Sequence, residues 1–131
     1  MVGELFLDRS LGRKRLAAAL RADGWSLATL SEVYGAHAGQ HVPDVSWIAE
    51  QTSLRRVLVT SDANILSDPI ERQALIDAEA LLFCFPTAQL TSAEQHARLT
   101  THRGHIERLA KAWDVPGAYV LYGSRISRVL P

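Results

Sequence analysis

Acidic side chains recur where predicted strands end or where the next helix begins. Asp8 follows the apolar run 5–7, Glu32 follows a second predicted strand, and Asp62 follows the β-branched run 56–60. Asp44 opens the helix predicted after the second strand. In parallel α/β folds the carboxyl ends of the strands share one edge, so we expect these four acids on a common rim.

Mutual repulsion limits what such a cluster can be. Two carboxylates about 5 Å apart repel by roughly 3 kcal/mol at an effective dielectric of about 20. Three such pairs would cost on the order of 10 kcal/mol, which is comparable with the stability of a whole domain. The acids must therefore spread apart, take up protons or hold a cation. An all-oxygen ligand set favours Mg²⁺ or Mn²⁺, and such an ion supports phosphoryl or phosphodiester chemistry.

The elements that would position these acids alternate between strand and helix. Each acid can also have a local role instead, as a helix N-cap, a turn residue or a solvated loop residue. The alternation predicts an α/β fold, a three-layer sandwich with a mostly parallel central sheet flanked by helices, formed as one domain over 1–131. The predicted strands are 5–7, 26–30, 56–60, 81–85, 118–122 and 125–129; the predicted helices are 12–23, 43–51, 68–79 and a long one from 91 to about 113; 31–42 is predicted as a loop with a helical turn near 32–34.

Composition excludes several classes of protein. Hydrophobic residues make up 47% of the chain, and 14 Lys and Arg balance 14 Asp and Glu, so the chain is neither disordered nor polybasic. The single cysteine, Cys84, lies in an apolar run and is predicted to be a buried structural thiol. The apolar runs are too short for a membrane span and the N-terminus lacks a signal-peptide pattern, so we expect a cytoplasmic protein without a membrane partner.

Three segments in series resemble the PIN-like domain family. They are 6–12 (FLDRSLG), 43–49 (PDVSWIA) and 57–62 (VLVTSD), and the resemblance covers about residues 4–85. Many members of that family are ribonuclease toxins of type II toxin–antitoxin pairs, of the VapC type. The resemblance implies the PIN-like fold, an RNA substrate, a cognate antitoxin as protein partner, and cleavage of RNA phosphodiester bonds with Mg²⁺ or Mn²⁺.

The resemblance also assigns roles to residues. It implies that Asp8, Asp44 and Asp62 are the catalytic acids that hold the metal. The hydroxyls of Ser10 and Thr60 match supporting positions, and Glu32 is a candidate for the family's glutamate between the first and third motifs. Asn64 stands where the family often has a further acid, which predicts a site with one metal ion or slow turnover.

Basic and aromatic residues suggest RNA contacts. Positive charge at the start of a helix opposes the macrodipole. Contact with an RNA backbone is one reason for basic side chains there, and solvation on a surface turn is the equal alternative. The candidates for phosphate contact are Arg9, Arg13 and Lys14. Trp47, ahead of Trp25 and Tyr34, is a candidate for base stacking, with core packing as its alternative.

Two other functions fit the same pattern. A receiver-type domain would use Asp62 as its phosphoacceptor, although such a domain also requires two acids after the first strand and a lysine near the last strand. A catalytically depleted PIN-like module that only binds a partner is favoured by Asn64. Whether the chain forms a homodimer is left open by the sequence.

Overall fold

The structure, a computed structural model, describes residues 3–12 and 14–131. In these residues six strands form one sheet in the order β2-β1-β3-β4-β5-β6, in which β1 to β5 are parallel and β6 is antiparallel to β5. The strands are β1 (Leu5–Leu7), β2 (Leu27–Thr29), β3 (Val57–Thr60), β4 (Leu81–Cys84), β5 (Gly117–Leu121) and β6 (Ile126–Leu130). The helices are α1 (Arg15–Ala22), α2 (Leu30–Tyr34), α3 (Asp44–Ser53), α4 (Asn64–Ser67), α5 (Pro69–Ala78) and α6 (Ser92–Ala112), with 3₁₀ turns at Arg9–Leu11 and Ala38–His41.

The sheet separates two hydrophobic cores because successive strand residues point to opposite faces. On one face Leu5 and Leu7 pack with residues of α1 and α6, among them Leu16 and Ile106. On the other face Phe6 packs with residues of α3 and α5, which include Trp47, Ile48 and Leu75. The predicted three-layer α/β sandwich with a mostly parallel sheet is therefore confirmed.

The helical turn predicted near 32–34 is present as α2, but it begins earlier than the sequence predicts, at Leu30 directly after β2. Thr29 Oγ1 accepts a hydrogen bond from the Glu32 amide at 3.2 Å, and the Glu32 carboxylate accepts one from the Thr29 amide at 3.0 Å. This reciprocal pair satisfies two backbone donors that a helix start leaves open. The short helix α4 was missed, since its four residues carry no periodic pattern.

Thr29→Ala is expected to lower the free energy of unfolding by about 1 kcal/mol, because it removes the side chain that caps α2. Urea denaturation of both proteins measures the change. Thr100→Ala, an exposed position within α6, is the matched control and should not lower the stability. Equal stability of wild type and Thr29→Ala would contradict a stabilising role for this cap.

Candidate active site

Asp8 is fixed at the carboxyl end of β1 by three hydrogen bonds. Its Oδ1 accepts from the amide of Ser10 at 3.0 Å and from the Ser10 hydroxyl, and its Oδ2 accepts from Thr60 Oγ1 at 2.6 Å. Only 3% of the residue is exposed. Ser10 and Thr60 therefore hold this carboxylate in one orientation.

Asp62 is joined to the same network through the end of β3. Its amide donates to Thr60 Oγ1 at 3.0 Å, so this hydroxyl connects the two acidic segments. The Asp62 carboxylate accepts from the Asn64 amide at 3.0 Å, which makes a local turn. The amide of Ser61 donates to the Ser10 hydroxyl at 2.9 Å and further ties the β1 and β3 ends together.

Asp44 is the first residue of α3, and one oxygen of its carboxylate accepts two hydrogen bonds. Its Oδ1 accepts from Nη1 of Arg9 at 3.1 Å and from the indole Nε1 of Trp47 at 2.9 Å. Pro43, and not Asp44, is the N-cap of α3. The role of a local N-cap, which was the alternative for Asp44, is therefore wrong.

Glu71 joins the acidic site, although in the sequence it indicated only the start of a helix. It lies in the first turn of α5, whose N-cap is Asp68. Partial burial, a hydrogen bond with the Asp44 side chain and the nearby charges of Asp44, Asp68 and Asp62 raise the pKa of Glu71 to about 7. One signal could have found it, because α5 follows the parallel strand β3 with only the short α4 between them and so begins at the same edge as the other acids.

Charge and burial also perturb the groups beneath this edge. Burial raises the pKa of Asp8 to about 6, and the charge of Asp44 adds to this, although the hydrogen bonds from Ser10 and Thr60 act in the opposite direction. Burial, followed by the charges of Asp8 and Asp62, raises the pKa of the Cys84 thiol to about 12. Cys84 is buried and unpaired, which confirms the prediction of a structural thiol.

Two adjoining surface depressions bring most of these acids together. They share Asp68 and Glu71 as lining residues. The first, of about 410 Å³, also contains Arg9, Asp44 and the apolar side chains of Pro43, Val45 and Ile70. The second, of about 490 Å³, is lined by Asp62, Asn64, Ser67 and the shared pair.

These acids lie along one edge of the sheet, but their side chains do not converge on a single position. Within 3–12 and 14–131, no three His, Cys, Asp or Glu side chains are close enough together to hold a metal ion as they stand. The hydrogen bonds explain the separation, since Ser10 and Thr60 hold Asp8 while Arg9 and Trp47 hold Asp44. The donor chemistry nevertheless fits a hard cation, because every acidic ligand offers oxygen and the acids disfavour one another's charged forms.

Two of the predicted site residues, Glu32 and Lys14, line a separate surface depression. The Glu32 carboxylate accepts from Arg21 at 2.7 and 3.0 Å and closes the cap of α2. It lines a depression with Lys14, Ser31 and Ala36, and none of the acids described above lines it. The prediction that Glu32 supports the acidic site is therefore corrected to a helix-capping role.

The basic candidates have separate outcomes. Lys14 is exposed, which leaves it available for a phosphate contact. Arg13 lies outside the described residues. The guanidinium of Arg9 donates to Asp44 and to backbone carbonyls, and its side chain is 31% exposed, so its phosphate contact stays a prediction.

The aromatic residues proposed for base stacking pack inside the protein. Trp47 is fully buried, and its ring centroid lies 5.4 Å from that of Phe6. Trp25 is buried beneath the guanidinium of Arg103, and the Tyr34 hydroxyl donates to Glu50. The prediction that Trp47 stacks on a base is wrong, because that side chain packs beneath α3 and positions Asp44.

The described residues thus define an α/β domain with an acidic site at the carboxyl edge of its parallel strands. The chain belongs to the PIN-like domain family, whose model matches residues 3–87. A Mycobacterium tuberculosis protein named "Putative ribonuclease VapC45" is 36% identical over 126 residues, which cover 96% of this chain and 91% of the relative. No solved structure matches the chain. None of the helices in the described part of the chain combines the length and apolar character needed to span a bilayer.

Proposed function

We propose that this protein is a metal-dependent endoribonuclease. The observation that supports this best is the meeting of acids from separate segments at one sheet edge, with Asp8 buried among hydroxyls that fix its orientation. The similarity to a protein named as a ribonuclease supports RNA as the substrate. A receiver-type phosphoacceptor has no comparable support, since the chain belongs to the PIN-like family.

Asp8, Asp44 and Asp62 would hold the ion, which we propose to be Mg²⁺ or Mn²⁺ because all three ligands are carboxylates. When bound, such an ion lowers the pKa of water and neutralises charge on a phosphoryl oxygen. Asn64 and Glu71 border Asp62 and provide further oxygen ligands at the same edge.

The remaining side chains serve this site by orientation and charge. Ser10 and Thr60 keep the Asp8 carboxylate in place, and Trp47 does the same for Asp44. Lys14, which is exposed near the start of α1, provides positive charge for the RNA backbone, and we assign the same role to Arg13 from its sequence position.

Removal of divalent metal tests the proposal directly. We expect RNA cleavage to fall to the level of an RNA blank in excess EDTA, and to return when Mn²⁺ is added beyond the chelator. Gel analysis of a fluorescently labelled RNA measures this, with Ca²⁺ as a control for charge alone. Cleavage that continues in EDTA would contradict metal dependence.

A catalytically depleted binding module is the second candidate. The observations that favour it are the neutral Asn64 and the absence of a closed group of three metal-binding side chains in the described residues. In that case RNA stays intact with Mn²⁺ present, and the chain binds a protein partner instead. Asn64→Asp would then be expected to create cleavage where the wild type has none.

The biological setting is part of the same proposal. The VapC name of the relative supports a toxin that is held inactive by a cognate antitoxin. We propose a cytoplasmic location on the same basis, because a toxin ribonuclease meets its RNA there. Homodimer formation and the one-domain organisation over 1–131 stay predictions.

A further inference from the structure

Arg9 places a positive charge inside the acidic site. Its Nη1 donates to Asp44 Oδ1 at 3.1 Å, and its Nη2 donates to the carbonyls of Gly39 at 3.2 Å and of Val42. The side chains of Arg9 and Asp44 are 31% and 13% exposed, so the pair is partly shielded from water. The guanidinium therefore joins the β1 end to both the 3₁₀ turn before α3 and the first residue of α3.

The carbonyls that receive Arg9 are held in place by packing. Gly39 lies against the buried Leu30, and an added Cβ would be 2.7 Å from Leu30 Cδ2. Any other residue at this position would therefore require the buried Leu30 side chain to shift. This close approach fixes the backbone acceptors, and a planar guanidinium suits fixed acceptors better than a flexible ammonium does.

The contacts of Asp44 restrict what that carboxylate can still bind. Arg9 and Trp47 both donate to Oδ1, which uses the two acceptor positions of that oxygen. Oδ2 is left for another ligand, and the Asp44 side chain is also hydrogen-bonded to Glu71. A second dication on this side would also lie next to the fixed positive charge of Arg9, which disfavours its binding.

We propose that Arg9 is a positioning residue that takes the place of a second metal ion, so that the site binds one divalent ion per chain. Arg9 acts through Asp44, whose carboxylate it orients and whose charge it balances. The single ion is then held by Asp8, Asp62 and the remaining Oδ2 of Asp44. This inference rests on the proposed metal-dependent function and specifies its stoichiometry.

The number of bound ions tests the inference. Isothermal titration calorimetry with Mn²⁺, together with electron paramagnetic resonance of free Mn²⁺, counts the ions on the full chain. We expect one ion for wild type and for Arg9→Lys, which keeps the charge. We expect two ions for Arg9→Met and Arg9→Gln, which remove it. Arg15→Met, an exposed charge loss at the start of α1, is the matched control and should stay at one.

Each outcome has a separate meaning. Two ions on the wild type, or one ion on both uncharged variants with unchanged circular dichroism, would overturn the role of Arg9 and leave the nuclease proposal standing. No Mn²⁺ binding by any variant would overturn the metal assignment and this inference with it. A purely structural role for Arg9 would shift the melting temperature without changing the number of ions.

Discussion

Asp8→Asn is expected to lower Mn²⁺-dependent RNA cleavage by about 1,000-fold, because loss of one fixed electrostatic group at a reacting centre commonly costs a factor of this order. In the folded protein Asp8 is the most deeply buried of the acids at the site. The neutral amide supplies one carbonyl oxygen where the carboxylate supplies two and a negative charge. We therefore expect the loss to appear in metal affinity as well as in turnover.

The variant should keep its fold, since the amide can satisfy the same neighbours. Its oxygen can accept from the Ser10 amide, as Oδ1 does in the wild type. Its NH₂ group would face Thr60 Oγ1, which can accept while its own proton turns to Ser10 Oγ, 3.2 Å away. One N–H of the new amide then has an acceptor, and its second N–H is the one donor that the substitution adds to this buried position.

Single-turnover cleavage of labelled RNA measures the effect. Asp77→Asn is the matched control, because Asp77 is exposed on α5 and outside the acidic site. It should cleave at the wild-type rate. Wild-type activity of Asp8→Asn would remove Asp8 from the catalytic assignment, and with it the main support for the proposed function.

Topology explains why part of this site could be predicted from the sequence. Asp8 and Asp62 directly follow strands, so the rule for parallel sheets places them together without any knowledge of side-chain packing. Asp44 follows from the same rule applied to the start of a helix. Glu71 follows the same rule, but α4 and the turn after it separate Glu71 from β3 in the sequence. Its position in the first turn of α5 therefore resembles ordinary helix capping.

Tertiary packing explains what the sequence could not predict. The choice of Asp44 as partner for Arg9 depends on where the 3₁₀ turn at Ala38–His41 lies, and that depends on the close approach of Gly39 to Leu30. Likewise, Trp47 belongs to the buried face of α3, next to Ile48, because it packs against the sheet residue Phe6. Contacts between distant segments decide both outcomes, and local patterns contain no information about them.

The buried charge of Asp8 should also make the stability of the metal-free protein fall as the pH rises. Burial raises the pKa of Asp8 from 3.8 to about 6, so the folded state binds this proton more tightly than the unfolded state does. The stabilising contribution of the proton is complete below the unfolded pKa and is lost as the pH passes the folded pKa. A shift of this size corresponds to about 3 kcal/mol.

Comparison with Asp8→Asn isolates this contribution from all other titrating groups. In EDTA, the free energy of unfolding of Asp8→Asn minus that of wild type is expected to increase by about 2–3 kcal/mol between pH 4 and pH 7.5. Urea denaturation at each pH measures it, and the same difference for Asp77→Asn should stay constant. Mn²⁺ at pH 7.5 should then stabilise wild type more than Asp8→Asn, since only the carboxylate regains a favourable partner. A difference that does not change with pH would show that Asp8 carries no unfavourable buried charge, and the case for a cation at this edge would lose its electrostatic basis.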